Sequence, residues 1–146
     1  MEIAVLALGC FWGPEIKFGK LEGVTKTEVG YCGGNSYTTT YEKVCSGSTN
    51  HAEVVKLEFD PKKISYEKIL QYFFEIHDPT TLNSQGPDIG TQYRSEIFYV
   101  NEYQMKIAEN IIEKNNKKLS GKVVTKLSKL NNYCKAEDYH QKYLEK

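Results

Sequence analysis

A thiol beside two aromatic rings and a carboxyl at the end of an apolar row are the features of this sequence best suited to chemistry. Cys10 stands in Gly9-Cys10-Phe11-Trp12-Gly13-Pro14-Glu15, directly after the apolar run Ile3-Ala4-Val5-Leu6-Ala7-Leu8. The run is short enough for one buried strand, and Pro14 opens a segment that reads as a helix. Cys10 is therefore expected at a strand-to-helix turn, where unpaired backbone N–H groups and the positive end of the helix dipole favour a thiolate. That makes it the candidate nucleophile. A buried structural cysteine is the alternative, because free cysteine is among the most buried residue types. Phe11 and Trp12 weigh against it: two large rings at a turn flanked by Gly9 and Gly13 read as exposed walls of a pocket for an apolar group.

The carboxyl is Glu53. From His51 to Asp60 the residues alternate, so Glu53, Val55, Leu57 and Phe59 share one face while Lys56 and Glu58 belong to the other. An acid at the end of a buried row is desolvated, its pKa rises, and it can hold a proton near neutrality as a general acid must. A frayed strand end with Glu53 in solvent is the alternative. His77 falls on a helical apolar stripe and reads as a core histidine rather than a ligand or base. Leu82 to Arg94 is punctuated by Gly86, Pro87, Asp88 and Gly90 and ends in Tyr93 and Arg94, which reads as an ordered loop lining the site. Arg94 is the only arginine among the 19 Lys and Arg residues, and its planar fork suits a buried acid.

The elements that must position these groups follow from periodicity. Strands are expected at Ile3–Leu8, Val24–Val29, His51–Asp60 and Glu96–Val100, with a last one over Val123–Leu127. A short helix after Pro14 turns Phe18 and Leu21 inward and stops at Gly23; Ser65 caps a second that carries Tyr66, Ile69, Leu70, Phe73, Phe74 and His77 and ends before Pro79. Asn101 caps a third with Ile107, Ala108, Ile111 and Ile112 inward. Tyr41 falls on a loop or a single helical turn between Tyr37 and Ser46, and Ala136 to Lys146 reads as a short terminal helix. The expected fold is α+β, a single catalytic domain over residues 1–146 built as a two-layer sandwich, with a mixed β-sheet and flanking helices around a ferredoxin-like core.

Composition narrows the function classes. At 146 residues the chain can bury roughly 70% of its unfolded surface without staples. Net charge is zero, so no basic field draws nucleic acid or an anionic membrane. The apolar start lacks a basic flank and a small-residue cleavage site, and no segment is long enough to span a bilayer. The four cysteines, Cys10, Cys32, Cys45 and Cys134, form no Cys-x-x-Cys pair, which argues against a zinc ribbon or a thioredoxin-type motif. A cytoplasmic monomer with reduced thiols and no metal is expected.

Motifs along nearly the whole chain, from Gly9 to Leu144, resemble the A-type peptide methionine sulfoxide reductases. They are Gly9-Cys10-Phe11-Trp12-Gly13, Gly30-Tyr31 with Gly33-Gly34, Tyr41 with Val44-Cys45-Ser46-Gly47, and His51-Ala52-Glu53-Val54-Val55. Next come His77-Asp78-Pro79-Thr80, Asp88-Ile89-Gly90-Thr91-Gln92-Tyr93-Arg94-Ser95 and Ala136-Glu137-Asp138-Tyr139-His140-Gln141. The resemblance implies that Cys10 is the nucleophile, that Phe11 and Trp12 hold the substrate's methyl group, and that Glu53 gives a proton to the sulfoxide oxygen. It further implies that Tyr41 and Tyr93 orient that oxygen, that Asp88 supports the site through hydrogen bonding, and that Cys45 belongs to the core. The implied substrate is methionine-S-sulfoxide, protein-bound, in peptides or free, and the implied role is repair, with one enzyme per epimer. No bound cofactor is implied; an external thiol, from thioredoxin or from glutaredoxin and glutathione, supplies electrons.

Many members continue past the Tyr-His-Gln segment into a Gly-rich tail with recycling cysteines, whereas this sequence stops at Lys146. The expectation is that an external thiol attacks the Cys10 sulfenic acid directly, or that Cys134 or Cys32 takes the resolving role. Two rival readings remain. One is a cysteine hydrolase or acyl transferase with His51 or His77 as base, turning over without reductant; the other is a thiol-bearing module that binds methionine and does no chemistry.

Overall fold

The computed structural model describes residues 1–34, 39–46 and 49–145. Asn35 and Ser36 of the loop after Tyr31, the start of the Tyr37–Ser46 stretch, Gly47 of the Val44–Gly47 motif and the final Lys146 lie outside the described residues.

The centre of the fold is strand β1 (Glu2–Leu8), whose Ala4 to Leu8 are all buried. An unbroken apolar run of this kind suits a strand covered on both faces. β1 pairs antiparallel with β3 (Ala52–Phe59) on one side and with β6 (Ser95–Tyr99) on the other. β2 (Val24–Cys32) pairs antiparallel with β3, so the four run β6-β1-β3-β2. Helices α1 (Trp12–Gly19) and α3 (Tyr66–Glu75) make the two crossovers, which gives the ferredoxin-like arrangement. Helix α4 (Glu102–Lys118) then carries the chain to β7 (Lys126–Lys129), which adds parallel to β6 and makes the sheet mixed. On the opposite edge β8 (Cys134–Lys135) pairs with β2.

Local chemistry accounts for the helices. Ser65 accepts a hydrogen bond from the Lys68 backbone at 3.0 Å, and Tyr66, Ile69, Leu70, Phe73 and Phe74 form the buried stripe of α3. Asn101 caps α4 in the same way at 2.9 Å from Gln104 N, with Lys117 and Lys118 in its last turn. The main core lies between these helices and the face of the sheet that presents Ala4, Leu6, Val29, Tyr31, Val55, Leu57 and Ile97. The other face carries Val5, Ala7, Cys32, Ala52, Val54 and Phe98, shielded by Leu130 and Tyr133 of the C-terminal segment.

Two expected elements are corrected. The last strand begins at Lys126 rather than Val123, because Val124 N donates to Pro79 O at 2.8 Å and Thr125 Oγ1 bonds Ser95 Oγ at 2.7 Å. The tail is no α-helix. It holds two 3-10 turns, Asp138–His140 and Tyr143–Glu145, separated by Lys142 at φ 51°. Gln141 breaks the helix by bonding as a strand would: it accepts from Val29 N at 2.9 Å and donates to Val29 O at 2.8 Å.

Candidate active site

Cys10 occupies the turn between β1 and α1, as its flanking sequence predicts. Gly9 has φ 100°, a conformation glycine adopts at little cost, and a Cβ there would meet the Gln85 side chain at 2.9 Å. Gln85 belongs to a small hairpin, β4 (Ser84–Gln85) with β5 (Asp88–Ile89), laid over this turn. The Gln85 amide exchanges hydrogen bonds with the Asp78 backbone, its Oε1 accepting from Asp78 N at 3.0 Å. The hairpin thus holds Asp88 beside both Cys10 and Glu53, where its charge raises both pKa values.

Glu53 is 1% exposed and lies on the helix-covered face of β3, as the alternation predicts. Its Oε1 accepts from the backbone N–H of Phe11 at 3.4 Å, which ties the carboxyl to the residue after Cys10. Its Oε2 is buried with no hydrogen-bond partner among the described residues. Burial, opposed by the Phe11 N–H and reinforced by Asp88, pushes its pKa up to about 8. The group is a protonated acid at neutrality, with one oxygen uncommitted.

The Cys10 thiol departs from expectation. Trp12 N–H does lower its pKa, in the direction of the helix-terminus argument, but burial acts more strongly and Glu53, Asp88 and Cys45 oppose ionisation, so the value is pushed up to about 11. Cys10 is a protonated thiol in the free protein. Among the described residues, no histidine contributes to the shift of Cys10 or Glu53. His77 is committed elsewhere, Nδ1 to Phe73 O at 2.6 Å and Nε2 to Ser95 Oγ at 2.8 Å, and burial lowers its pKa to about 4. The hydrolase reading loses that base.

Tyr41 opens the one-turn helix α2 (Tyr41–Cys45), capped by Thr40. Tyr93 ends the 3-10 turn Thr91–Tyr93. Burial raises the pKa of both phenols, Tyr93 to about 12, with Glu53 contributing in each case. Both stay protonated at neutrality and lie near enough to Glu53 for its charge to act on them. Cys45, expected in the core, is instead exposed at the end of α2, on the same side of that turn as Tyr41. Burial raises its pKa, opposed by the hydroxyls of Tyr41 and Tyr93 and reinforced by Glu53 and Glu137. Gln92 Nε2 donates to Cys45 O at 3.5 Å, fixing the end of α2 beside Tyr93.

The two rings after Cys10 differ. Phe11 is 1% exposed, so it is not the displayed ring that the turn implies; it packs on Tyr31 at 5.8 Å between centroids and on His140 at 5.3 Å. Trp12 is half-buried and lies stacked on Tyr143, 3.9 Å between centroids and 14° between planes. Glu137 gathers the surroundings, accepting from Tyr31 Oη at 2.8 Å, Tyr41 N at 3.0 Å and Tyr139 Oη at 3.2 Å. Glu137, His140 and Tyr143 were not marked as site residues by sequence reasoning, although the aromatic, polar run Ala136 to Gln141 contains the first two.

Cys10, Phe11, Trp12, Tyr41, Glu53, Asp88 and Tyr93 thus converge. Cys32 does not: it is fully buried on the opposite face of the sheet, its thiol donating to Asn131 O at 3.0 Å. Cys134 is half-buried on β8 with its thiol toward Thr39 O at 3.9 Å. Arg94 meets the acid foreseen for it, Nε to Glu96 Oε1 at 2.7 Å, with both side chains buried. Two clefts on the helical layer, of about 780 and 310 Å³, are lined by α3 with α4 and by α3 with Leu21, Glu22, Lys63 and Ile64, and carry none of this chemistry. No described helix is long and apolar enough to cross a membrane.

A family model for peptide methionine sulfoxide reductase matches residues 2–146. The chain belongs to that family. Peptide methionine sulfoxide reductase MsrA of Pelagibacter ubique is 77% identical over 146 residues, covering 100% of this chain and 99% of the relative. The reduced form of Mxr1 from Saccharomyces cerevisiae, 39% identical, superposes with a TM-score of 0.94 over 99% of this chain and 84% of that one. Mxr1 in complex with Trx2, 26% identical, gives 0.69 over 97% of this chain and 84% of that one. As a peptide methionine sulfoxide reductase, the chain is an oxidoreductase that reduces methionine sulfoxide and draws its electrons from thiols.

Proposed function

We propose that Cys10 attacks the sulfur of methionine-S-sulfoxide while Glu53 protonates its oxygen. The observation that carries this reading is the Glu53 carboxyl, buried, protonated at neutrality and presenting an unpartnered Oε2 at the Cys10 turn. A sulfoxide oxygen leaves sulfur only as it gains a proton, and donation from a positioned acid typically contributes 10² to 10⁴-fold. Tyr41 and Tyr93 donate hydrogen bonds to the same oxygen, and Trp12 walls the methyl group. The raised thiol pKa sets the order of events: as Glu53 passes its proton to the oxygen, the carboxylate left behind takes the proton of Cys10. The net step, Cys10–SH with R₂S=O giving Cys10–SOH and R₂S, conserves atoms and moves two electrons from the cysteine sulfur to the substrate sulfur.

The sulfenic acid is then attacked by an external thiol, which releases water and leaves a mixed disulfide; a second thiol frees Cys10. Thioredoxin fits as donor, since Mxr1 forms a complex with Trx2. Glutaredoxin with glutathione is the other donor class, and a single catalytic domain working as a monomer in a reducing cytoplasm suits either one. The exposed thiol of Cys45 supports a second reading, in which it forms the disulfide with Cys10 first; burial removes Cys32 from that role, and Cys134 remains an alternative.

Epimer-resolved turnover tests the reading, using free and peptide-bound methionine sulfoxides with dithiothreitol, thioredoxin and glutaredoxin in parallel. We expect the S epimer alone to react, one dithiol to be consumed per methionine, and Cys10→Ser to abolish turnover. Activity above background in that variant, or reduction of both epimers alike, rejects the assignment. Mass spectrometry after substrate addition without reductant is expected to show a trappable Cys10 sulfenic acid, and a stoichiometric Cys10–Cys45 disulfide would establish the second reading instead.

A further inference from the structure

Arg94 is 6% exposed and Glu96 is 4% exposed, yet the reaction above gives this ion pair no part. Every other cation among the 19 Lys and Arg residues is a lysine, and no lysine within the described residues is buried. The single arginine thus stands where a cation is enclosed. Burying an ion pair is costly unless further hydrogen bonds complete it, and here the partners come from several elements. Arg94 Nε donates to Glu96 Oε1 at 2.7 Å, and Ser128 Oγ on β7 donates to Glu96 Oε2 at 2.6 Å. A Cβ at Gly33, just past β2, would lie 3.1 Å from Arg94 Nη2, so the glycine leaves room for the guanidinium.

The remaining bond of Arg94 leads back to the site. Its Nη1 donates to Thr91 O at 2.9 Å, the carbonyl that also accepts the Arg94 backbone N–H at the longer distance of 3.3 Å. Thr91 opens the three-residue 3-10 turn that ends in Tyr93. Such a turn has poor hydrogen-bond geometry and no length over which to propagate. Its own backbone supplies only the Tyr93 N to Gly90 O bond at 3.0 Å and the long bond to Thr91 O. The guanidinium adds a charged donor where the turn is weakest. A lysine ammonium is a compact point charge, whereas the planar fork of arginine aims Nε at Glu96 and Nη1 at Thr91 O together.

We infer that Arg94 is a positioning residue that closes the Thr91–Tyr93 turn through Thr91 O and so sets where the Tyr93 hydroxyl stands. Glu96, held from β7 by Ser128, is the anchor that aims the guanidinium. The consequence for catalysis rests on the reading of Tyr93 as a hydrogen-bond donor to the sulfoxide oxygen.

The test is a double-mutant cycle on the single-turnover rate of methionine formation, with Arg94→Lys, Tyr93→Phe and the two combined. Arg94→Lys keeps the charge and is expected to lower that rate about tenfold, the effect of losing one hydrogen bond to the reacting oxygen, with KM within about threefold. Cys10 should alkylate at the wild-type rate. In the Tyr93→Phe background Arg94→Lys should cost nothing further. An equal cost in both backgrounds overturns the inference, because the arginine would then act by packing alone; so does a wild-type rate in Arg94→Lys when Tyr93→Phe is itself slow. If Tyr93→Phe reacts as the wild type does, or the wild type reduces no sulfoxide, the proposed function fails in that respect and hydrogen exchange decides the tie. The Tyr93 and Arg94 amides should then exchange about tenfold faster in Arg94→Lys while those of Ile97 and Phe98 are unmoved, and unchanged exchange refutes it. Should Arg94→Lys fail to fold, ¹⁵N-arginine-labelled wild-type protein decides, since Arg94 gives the only signal. Separate, slowly exchanging Nη resonances support the bond to Thr91 O, and one averaged, solvent-like resonance overturns it.

Discussion

Glu53 meets two opposed demands, since the burial that makes it an acid makes its charged form costly to the fold. Its folded pKa of about 8 stands above the ordinary 4.5. Below pH 4.5 the carboxyl is protonated whether the chain is folded or not, and it contributes no penalty. Between pH 4.5 and 8 the unfolded chain releases the proton that the fold retains, so stability falls through that window and levels off above pH 8. Glu53→Gln should therefore be more stable than the wild type at pH 9, by on the order of a few kcal/mol and with a higher melting temperature, and close to it at pH 4. Thermal unfolding at the two pH values checks this, and an equal or lower melting temperature for the variant at pH 9 contradicts it. The alternation along β3 placed Glu53 on the buried face from sequence alone. The sign of the Cys10 shift was not legible, because the burial that dominates it, and the charges of Glu53 and Asp88 that add to it, come from parts of the chain distant from the turn.

At the scale of elements, the site depends on two short pieces with no period to reveal them. α2 has five residues, too few for a helical stripe, and its hold on the sheet comes from Glu137 on Tyr41 N and from Gln92 on Cys45 O. The hydrogen bonds from Tyr41 N–H, Tyr31 and Tyr139 outweigh burial and hold the Glu137 carboxyl below its usual range, so the acceptor is charged at neutrality. Glu137→Gln weakens this tie, and hydrogen bonds to a charged group are worth about 1.5–3 kcal/mol each. We expect the variant to raise KM several-fold through the displaced Tyr41 while Cys10 alkylates at the wild-type rate; unchanged steady-state kinetics would show that α2 is held in some other way. The tail illustrates the same limit. Its polar, aromatic composition permits a helix, but Gln141 finds better partners along the edge of β2, and a long-range pairing of that kind leaves no local signal.

Across the whole molecule, what could be read from the sequence is what the sheet imposes. The unbroken apolar β1, the alternating β3 and the capped stripes of α3 and α4 each declare their element, and their order leads to the α+β fold. The thiols sort by the same sheet: Cys32 is sealed behind it, whereas Cys10 and Cys45 lie where β1, α2 and the hairpin meet over its helix-covered side. The most direct test is the single-turnover rate of methionine formation without reductant, measured for the wild type and Glu53→Gln from pH 6 to 9.5. We expect the wild-type rate to hold steady to about pH 7 and to fall through pH 8 as Glu53 loses its proton. The variant should be slower by about 10² to 10³-fold with no inflection there. A variant as fast as the wild type, or a wild-type rate that passes pH 8 without falling, would contradict proton donation by Glu53.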